Sequence, residues 1–587
     1  MSGSYQEIVA RRIVPHLKSL CDKVRIEKEA TVLDGVRVFD GSDVFVPGKT
    51  VNAFSYVLVA AKEDPAQFQS LLADFAAVAD FTARYELKTW GIFFYLTGLN
   101  RLREHGLLER AVRPETLARL QDKLDWRNFI READLTLIDL PTNYYGCGFG
   151  VARLRELLGW EAENCSQKLF DRLMEHIESY SGEFGFSDET PGEGRFDRYS
   201  ILLPGEICAR LIDTGMAVPE QLRSMLRRSC DIHLRLANQN GDGFAYGRTI
   251  GAYGDSSVLE VLSVAAYLKV LTPVEQDLAY AYSVKIAAKF ADFWLDDEMG
   301  SVNLWEKGRK ADPYMAKNRI LGENFSLCHQ VIHSGDFWER AGYGSRLPDP
   351  GFTAMLEQIP RHFLVRFASG EYERALAIIR DRSRIISLPL ISGGTGQYRK
   401  APYYPIPFAV GMLACSPAER YPQLLPELTL DDGAVLMPLV YLTKIRTAES
   451  GDCFTVCYRQ SQLCRIKGES PRPDPRIGVE TCYFFSPGRI VREDCYAAQE
   501  PLRIEKIRLE FATYSQEPVQ TGTEVRFGRG AVRRIKLEGL EHCRVGSVAG
   551  QAAYQTAQGT LESKVVWESE ALRLDGTWRL RWEIDYE

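Results

Sequence analysis

A change of hydrophobic period partway along the chain constrains its fold more than any other feature. Up to about residue 345, apolar side chains recur every three to four positions. In 64–80, for example, Phe68, Leu71, Leu72, Phe75, Ala76 and Val78 share one helical face. The same spacing predicts helices over 89–107, 144–160, 166–180, 219–236, 256–271, 273–293 and 325–340, separated by short Gly- and Asp-rich links such as Gly241-Asp242-Gly243. After Arg346-Leu347-Pro348-Asp349-Pro350-Gly351 the runs shorten and alternate, at 363–367, 385–388, 454–458, 506–511 and 578–584, as half-buried strands do. Helical hairpins with no fixed-length repeat point to a ring more than to a regular solenoid. Many short strands point to an antiparallel sandwich. The expected architecture is multidomain α and β: an N-terminal (α/α) toroid over 1–345 and a C-terminal antiparallel β-sandwich over 346–587.

With 587 residues the chain exceeds what one hydrophobic core supports. Its net charge of −7 is spread without a Lys/Arg block, which argues against a nucleic-acid partner. No apolar run is long enough to span a bilayer, and Met1-Ser2-Gly3-Ser4-Tyr5-Gln6-Glu7 does not read as a secretory leader. The 13 cysteines lack C-x-x-C pairs and read as reduced thiols, hence the expectation of a cytoplasmic protein. A homo-oligomer is compatible with this composition. Aromatic residues reach 11%, and flat aromatic faces suit sugar-binding clefts.

Chemistry-bearing residues concentrate between Asn238 and Asp255, a Gly-rich stretch presenting Tyr246, Arg248 and Tyr253 ahead of a helix expected to be capped by Asp255 or Ser256. Asp242-Gly243 and Gly251-Ala252-Tyr253-Gly254 resemble two segments of the hyaluronate and chondroitin lyases, with Arg248 standing about where those enzymes carry a His. Asn143-Tyr144-Tyr145, opening a helix that closes at Leu157-Leu158-Gly159-Trp160, resembles their Asn-Trp-Trp helix. Phe196-Asp197-Arg198-Tyr199 and Gly247-Arg248-Thr249 are similar to hallmarks of a bacterial and fungal family of the same toroid-plus-sandwich design and no assigned activity. The resemblance implies the toroid and sandwich, an acidic oligosaccharide as partner, and a role for Asn143 on a uronate carboxylate.

Elimination from a uronate needs that carboxylate neutralised, a base for the C5 proton and an acid for the leaving oxygen. Asn143 and Arg248 are the expected neutralisers and Tyr253 the expected base and acid. A free phenolate at neutral pH is disfavoured by about 4 kcal/mol, so this reading asks Arg248 to lower the Tyr253 pKa. Hydrolysis, the rival reading, needs two carboxyl groups instead. Asp139, Asp188, Glu189, Asp197, Asp255 and Glu323 are the candidates, with Asp197 preferred for its aromatic neighbours. Tyr144, Tyr145, Tyr199, Tyr246, Trp305, His329 and His333 are expected to line the substrate cleft. His329 and His333 share a helical face but lack a third ligand, so no metal is expected, and no cofactor either. A dinucleotide-binding fingerprint, a P-loop, a Gly-x-Ser-x-Gly elbow and the Asp-rich motif of terpene cyclases are all missing from the sequence. A catalytically inert carbohydrate-binding or scaffold protein is the non-enzymatic alternative.

Overall fold

The computed structural model describes residues 3–181, 183–312, 314–393, 403–414, 423–466 and 472–587. Among the described residues, six helices close into an inner ring: α1 (Val46–Ala60), α2 (Thr89–Glu104), α3 (Asn143–Leu157), α4 (Arg198–Asp213), α5 (Ala252–Tyr267) and α6 (Ile320–Arg340). Each packs on the next, and α6 returns to α1. Outer helices cover them. Pro65–Thr82 lies on α1, Cys165–Ser181 on α3, Glu220–Leu236 on α4, Pro273–Lys289 on α5 and Val14–Glu27 on α6. This is the (α/α) toroid.

Glycine sets the tightest crossing of the ring. A Cβ on Gly48 would lie 1.8 Å from the Gly91 carbonyl oxygen, so α1 and α2 approach backbone to backbone. Helix α5 begins at Ala252, not at Asp255 or Ser256 as expected. Asp255 is no cap. Its carboxylate accepts from the Gly243 N–H at 2.7 Å and the Trp294 indole at 2.8 Å, which ties the glycine-rich loop down.

The last ring helix ends at Arg340, and the first strand of the second half is His362–Ala368. It belongs to a three-stranded antiparallel sheet with Arg374–Asp381 and Arg384–Leu390. Arg374–Asp381 is buried along its whole length, because Phe186, Phe196, Ile232 and Phe244, from the loops and outer layer of the toroid, share its core. Arg380 fastens this sheet to the toroid by donating to the carbonyls of Arg235 and Ala237. Two eight-stranded antiparallel sheets follow and enclose one continuous core, the expected β-sandwich. The reading of the cysteines as all reduced is corrected here. Register places Cys457 opposite Cys482 on neighbouring strands, and the two form a disulfide. Their separation of 25 residues carries no signature in the sequence. Among the described residues no helix is long and apolar enough to cross a membrane.

Candidate functional site

All six inner helices run the same way, so their N-termini meet at one mouth. The first turns supply Lys49, Trp90, Asn143, Arg198, Tyr253 and Glu323, one from each helix, to a cleft of about 820 Å³. Six helix N-termini aimed at one space favour an anionic ligand. The cleft continues along the axis to Tyr56, Arg101, Leu154, Arg210, Glu260 and His333, again one per helix. At the helical rise these lie about 12–20 Å behind the helix starts.

At the mouth, the loop 242–251 and the start of α3 meet, as the sequence reading required. The Arg248 guanidinium pairs with Glu189, lies 3.5 Å from Asp197 and donates to the Asn143 side-chain oxygen at 3.4 Å. It also stacks over the Tyr199 ring at 4.0 Å. Tyr253 belongs to a second group. Its hydroxyl donates to Glu323, whose carboxylate is held by Arg319 at 2.9 Å and Lys49 at 3.5 Å. Burial and the Glu323 charge push the Tyr253 hydroxyl well above the ordinary tyrosine range, while the two cations keep Glu323 low despite its burial. The expectation that Arg248 lowers the Tyr253 pKa is therefore corrected. The charge of Arg248 is taken up by two carboxylates, and the neighbour of Tyr253 is an anion.

Tyr144 and Tyr199 line the mouth, and burial pushes the Tyr144 hydroxyl up to about 12. Tyr145 instead packs inward against His176, with ring centroids 4.8 Å apart. Tyr246 is 0% exposed in the core beside Phe244. Trp305 packs on the toroid core outside the cleft. These three do not fit the substrate-contacting role expected of them. Nor does Asp197 fit a catalytic acid. It is 0% exposed, caps α4 through the Tyr199 N–H and accepts from the Tyr403 hydroxyl at 2.7 Å. Among the other carboxylates, Asp139 is exposed, and Asp188 is used up by the backbone N–H groups of Thr190, Gly194 and Arg195. His329 and His333 do reach the cleft, in its rear half, with rings stacked 5.3 Å apart. Burial opposes charge on both. Asp213, 2.7 Å from His333, nevertheless holds that imidazole up at about 9, whereas His329 falls well below the ordinary histidine range.

The rear half also holds two residues that the sequence reading missed. Glu206 on α4 and Glu260 on α5 line the cleft from neighbouring helices. Arg210, set between the Trp90 and Phe93 rings at 5.0 Å from each, pairs with Glu206 at 3.0 Å. Glu260 has no such partner. Burial and then the Glu206 charge raise its carboxyl to about 7. The available signal was a lone acid inside the apolar run Val258-Leu259-Glu260-Val261-Leu262. One carboxylate carried on a guanidinium beside one carboxyl protonated near neutrality is the division an acid/base pair requires.

The sandwich braces the mouth from outside. A small hairpin, Gln555–Thr556 with Gly559–Thr560, accepts from the Lys310 N–H at 2.9 Å through the Thr556 carbonyl. The same loop continues to Asp312 and Tyr314, which bond the Thr249 N–H and hydroxyl. The hairpin tip also closes on Gly251, whose φ is +82°. A Cβ there would sit 2.9 Å from that of Ala557. Tyr403 touches the other end of the 247–251 segment.

No protein-family model matches the chain, and no curated protein matches its sequence. Its fold matches solved structures. A heparinase III structure aligns over 97% of this chain and 85% of its own at a TM-score of 0.52 and 10% identity. A mutant chondroitin AC lyase of Streptomyces coelicolor A3 aligns over 98% and 79% at 0.47 and 11%. A glycosyl hydrolase family 88 protein of Bacteroides vulgatus aligns with 55% of this chain and 99% of its own at 0.36 and 10%. At 10% identity the heparinase III likeness shows the fold alone and leaves the chemistry to the site.

Proposed function

We propose that the chain is a carbohydrate-active enzyme that hydrolyses glycosidic bonds in uronate-containing oligosaccharides. The observation that carries this reading is the Glu206–Glu260 pair, with Glu260 protonated up to about pH 7 and Glu206 carried on Arg210. In the reaction the Glu260 carboxyl gives its proton to the glycosidic oxygen as the bond to the anomeric carbon breaks. The Glu206 carboxylate faces the positive charge developing on that carbon, water adds its hydroxyl there while its proton passes to Glu206, and Glu260 regains a proton from solvent as Glu206 gives one up. Trp90 and Phe93 form an apolar platform beside the pair. The converging helix N-termini, Arg198 and the Asn143 amide make the mouth receptive to acidic sugars. No step calls for a metal or a cofactor.

A second reading, β-elimination, rests on the meeting of Asn143, Arg248 and Tyr253 at the mouth. Its difficulty is the base, because Glu323 stabilises the Tyr253 phenol and opposes the phenolate. One assay separates the two reactions. Uronate-containing oligosaccharides are incubated with the enzyme while reducing ends and the ultraviolet absorbance of a C4–C5 double bond are followed together. Hydrolysis yields reducing ends without absorbance; a rise in both assigns elimination. Glu260→Gln and Tyr253→Phe then locate the chemistry, and wild-type turnover in Glu260→Gln on an unactivated oligosaccharide rules out the pair. Ligand affinity without turnover across the panel identifies a binding protein instead.

A further inference from the structure

Cations that line the cleft divide by whether they already hold a counter-ion. Lys49 and Arg319 share Glu323, Arg210 holds Glu206, Arg248 holds Glu189 and His333 holds Asp213. Among the described residues, Arg101 and Arg198 have no carboxylate within 4.0 Å. Arg198 sits at the mouth, stacked on Tyr199 at 4.3 Å with its Nε donating to the Arg248 carbonyl. Arg101 lies deep in the cleft. Its Nη1 donates to the Asn52 carbonyl at 3.0 Å, the Asn52 side-chain oxygen at 2.8 Å and the Ser55 hydroxyl at 2.6 Å, all uncharged oxygens. One edge of the guanidinium is fixed in place; the charge acting on it most is that of Asp336, also on the cleft wall but beyond contact distance, so no carboxylate occupies its free edge.

Depth gives this cation a role. Arg101 stands 12 residues into α2, whereas Glu206 and Glu260 each stand 8 residues into their helices. Arg101 is in the last turn of α2, well past Trp90 and Phe93, which flank the Arg210 that holds Glu206, so it stands behind the pair. A sugar lodged behind the pair would carry its C6 group to Arg101, with the Tyr56 side chain, also on the cleft wall, near enough to feel the Arg101 charge. Beyond it, Glu104 stands exposed at the rear rim and opposes a second acidic sugar. We infer that Arg101 takes the carboxylate of a chain-terminal uronate, so that the sugar released is the acidic one and cleavage proceeds from the chain end. A guanidinium fork matches a carboxylate with two parallel hydrogen bonds, and a neutral terminal sugar leaves it without a charged partner at contact distance. This assignment rests on the hydrolytic reading for the bond that is cut, but not for the binding of the carboxylate.

The test compares nitrophenyl β-glucuronide with nitrophenyl β-glucoside, which differ in the C6 group. The wild type is expected to favour the glucuronide, and Arg101→Ala to lower that preference about 10- to 100-fold, the worth of hydrogen bonds to a charged group. Arg101→Lys keeps a cation and should retain part of the preference, which guards against a variant that merely misfolds. Equal losses on both substrates, or an unchanged ratio, overturn the assignment. If neither glycoside is cleaved, the hydrolytic reading falls, and calorimetry with free glucuronate and glucose tests the subsite alone. Glucuronate binding that weakens in Arg101→Ala upholds it; equal binding by both proteins, or none by the wild type, overturns it.

Discussion

Replacing Glu260 with Gln should cost activity and add stability, and the two effects should separate by pH. The Glu260 carboxyl titrates at about 7 in the folded protein, against an ordinary 4.5, because burial and then Glu206 oppose its charge. Since one pKa unit corresponds to about 1.4 kcal/mol, ionising it in the native state costs about 3 kcal/mol more than in the unfolded chain. The folded pKa is the higher one, so the stability this group contributes is fully present below about pH 4.5 and lost as pH rises through 7. Gln never ionises. The variant should match the wild type at pH 4.5 and exceed it by up to about 3 kcal/mol at pH 8, read as denaturation midpoints by circular dichroism. Removing a general acid should lower kcat about 10²- to 10⁴-fold on a substrate whose leaving oxygen needs a proton, and far less on a dinitrophenyl glycoside. The fall in wild-type activity as pH rises past about 7 should vanish in the variant. Equal stability differences at both pH values would refute the electrostatic argument. Equal losses on good and poor leaving groups would refute the acid role.

Three further outcomes follow from the mouth and the rear rim. Glu323→Gln removes the anion beside Tyr253 and leaves Lys49 and Arg319 buried together; the Tyr253 hydroxyl should titrate closer to the ordinary tyrosine range, seen by NMR of labelled tyrosine, and the fold should lose about 3–5 kcal/mol. Gly251→Ala puts a Cβ at positive φ against the Ala557 methyl, so stability should fall by about 1–3 kcal/mol, with kcat lowered more than KM is raised; adding Ala557→Gly should recover the steric part only. Asp213→Asn leaves burial to act on His333 with its main counter-charge gone, so its imidazole should drop from about 9 toward neutrality or below in a histidine NMR titration, and protection below pH 9 should shrink with it.

What could be read without coordinates divides along physical lines. Period is local, so the change from helices to strands and most ring helices were legible, and the glycines and aromatics of 242–255 marked a segment that does open onto the cleft. Charge balance is not local. Arg248 reads as a free cation until α4 and the loop before it bring Asp197 and Glu189 against it, and Tyr253 reads as an activatable base until α6 delivers Glu323. The cysteine pair depends on strand register for the same reason. Glu260 shows how such a site announces itself. Val258, Leu259, Val261 and Leu262 are each 0% exposed, so this stretch of the helix is buried and Glu260, half-buried among them, has only the cleft to face. An unpaired carboxyl in that position is either protonated or spends several kcal/mol on its charge. Ring closure selects protonation by setting Glu206 beside it, and a cleft along the axis puts the retained proton within reach of a ligand. The misfit between an acid and its apolar helix is therefore a better guide to chemistry here than the short motifs, because it identifies a group whose protonation state the fold itself controls.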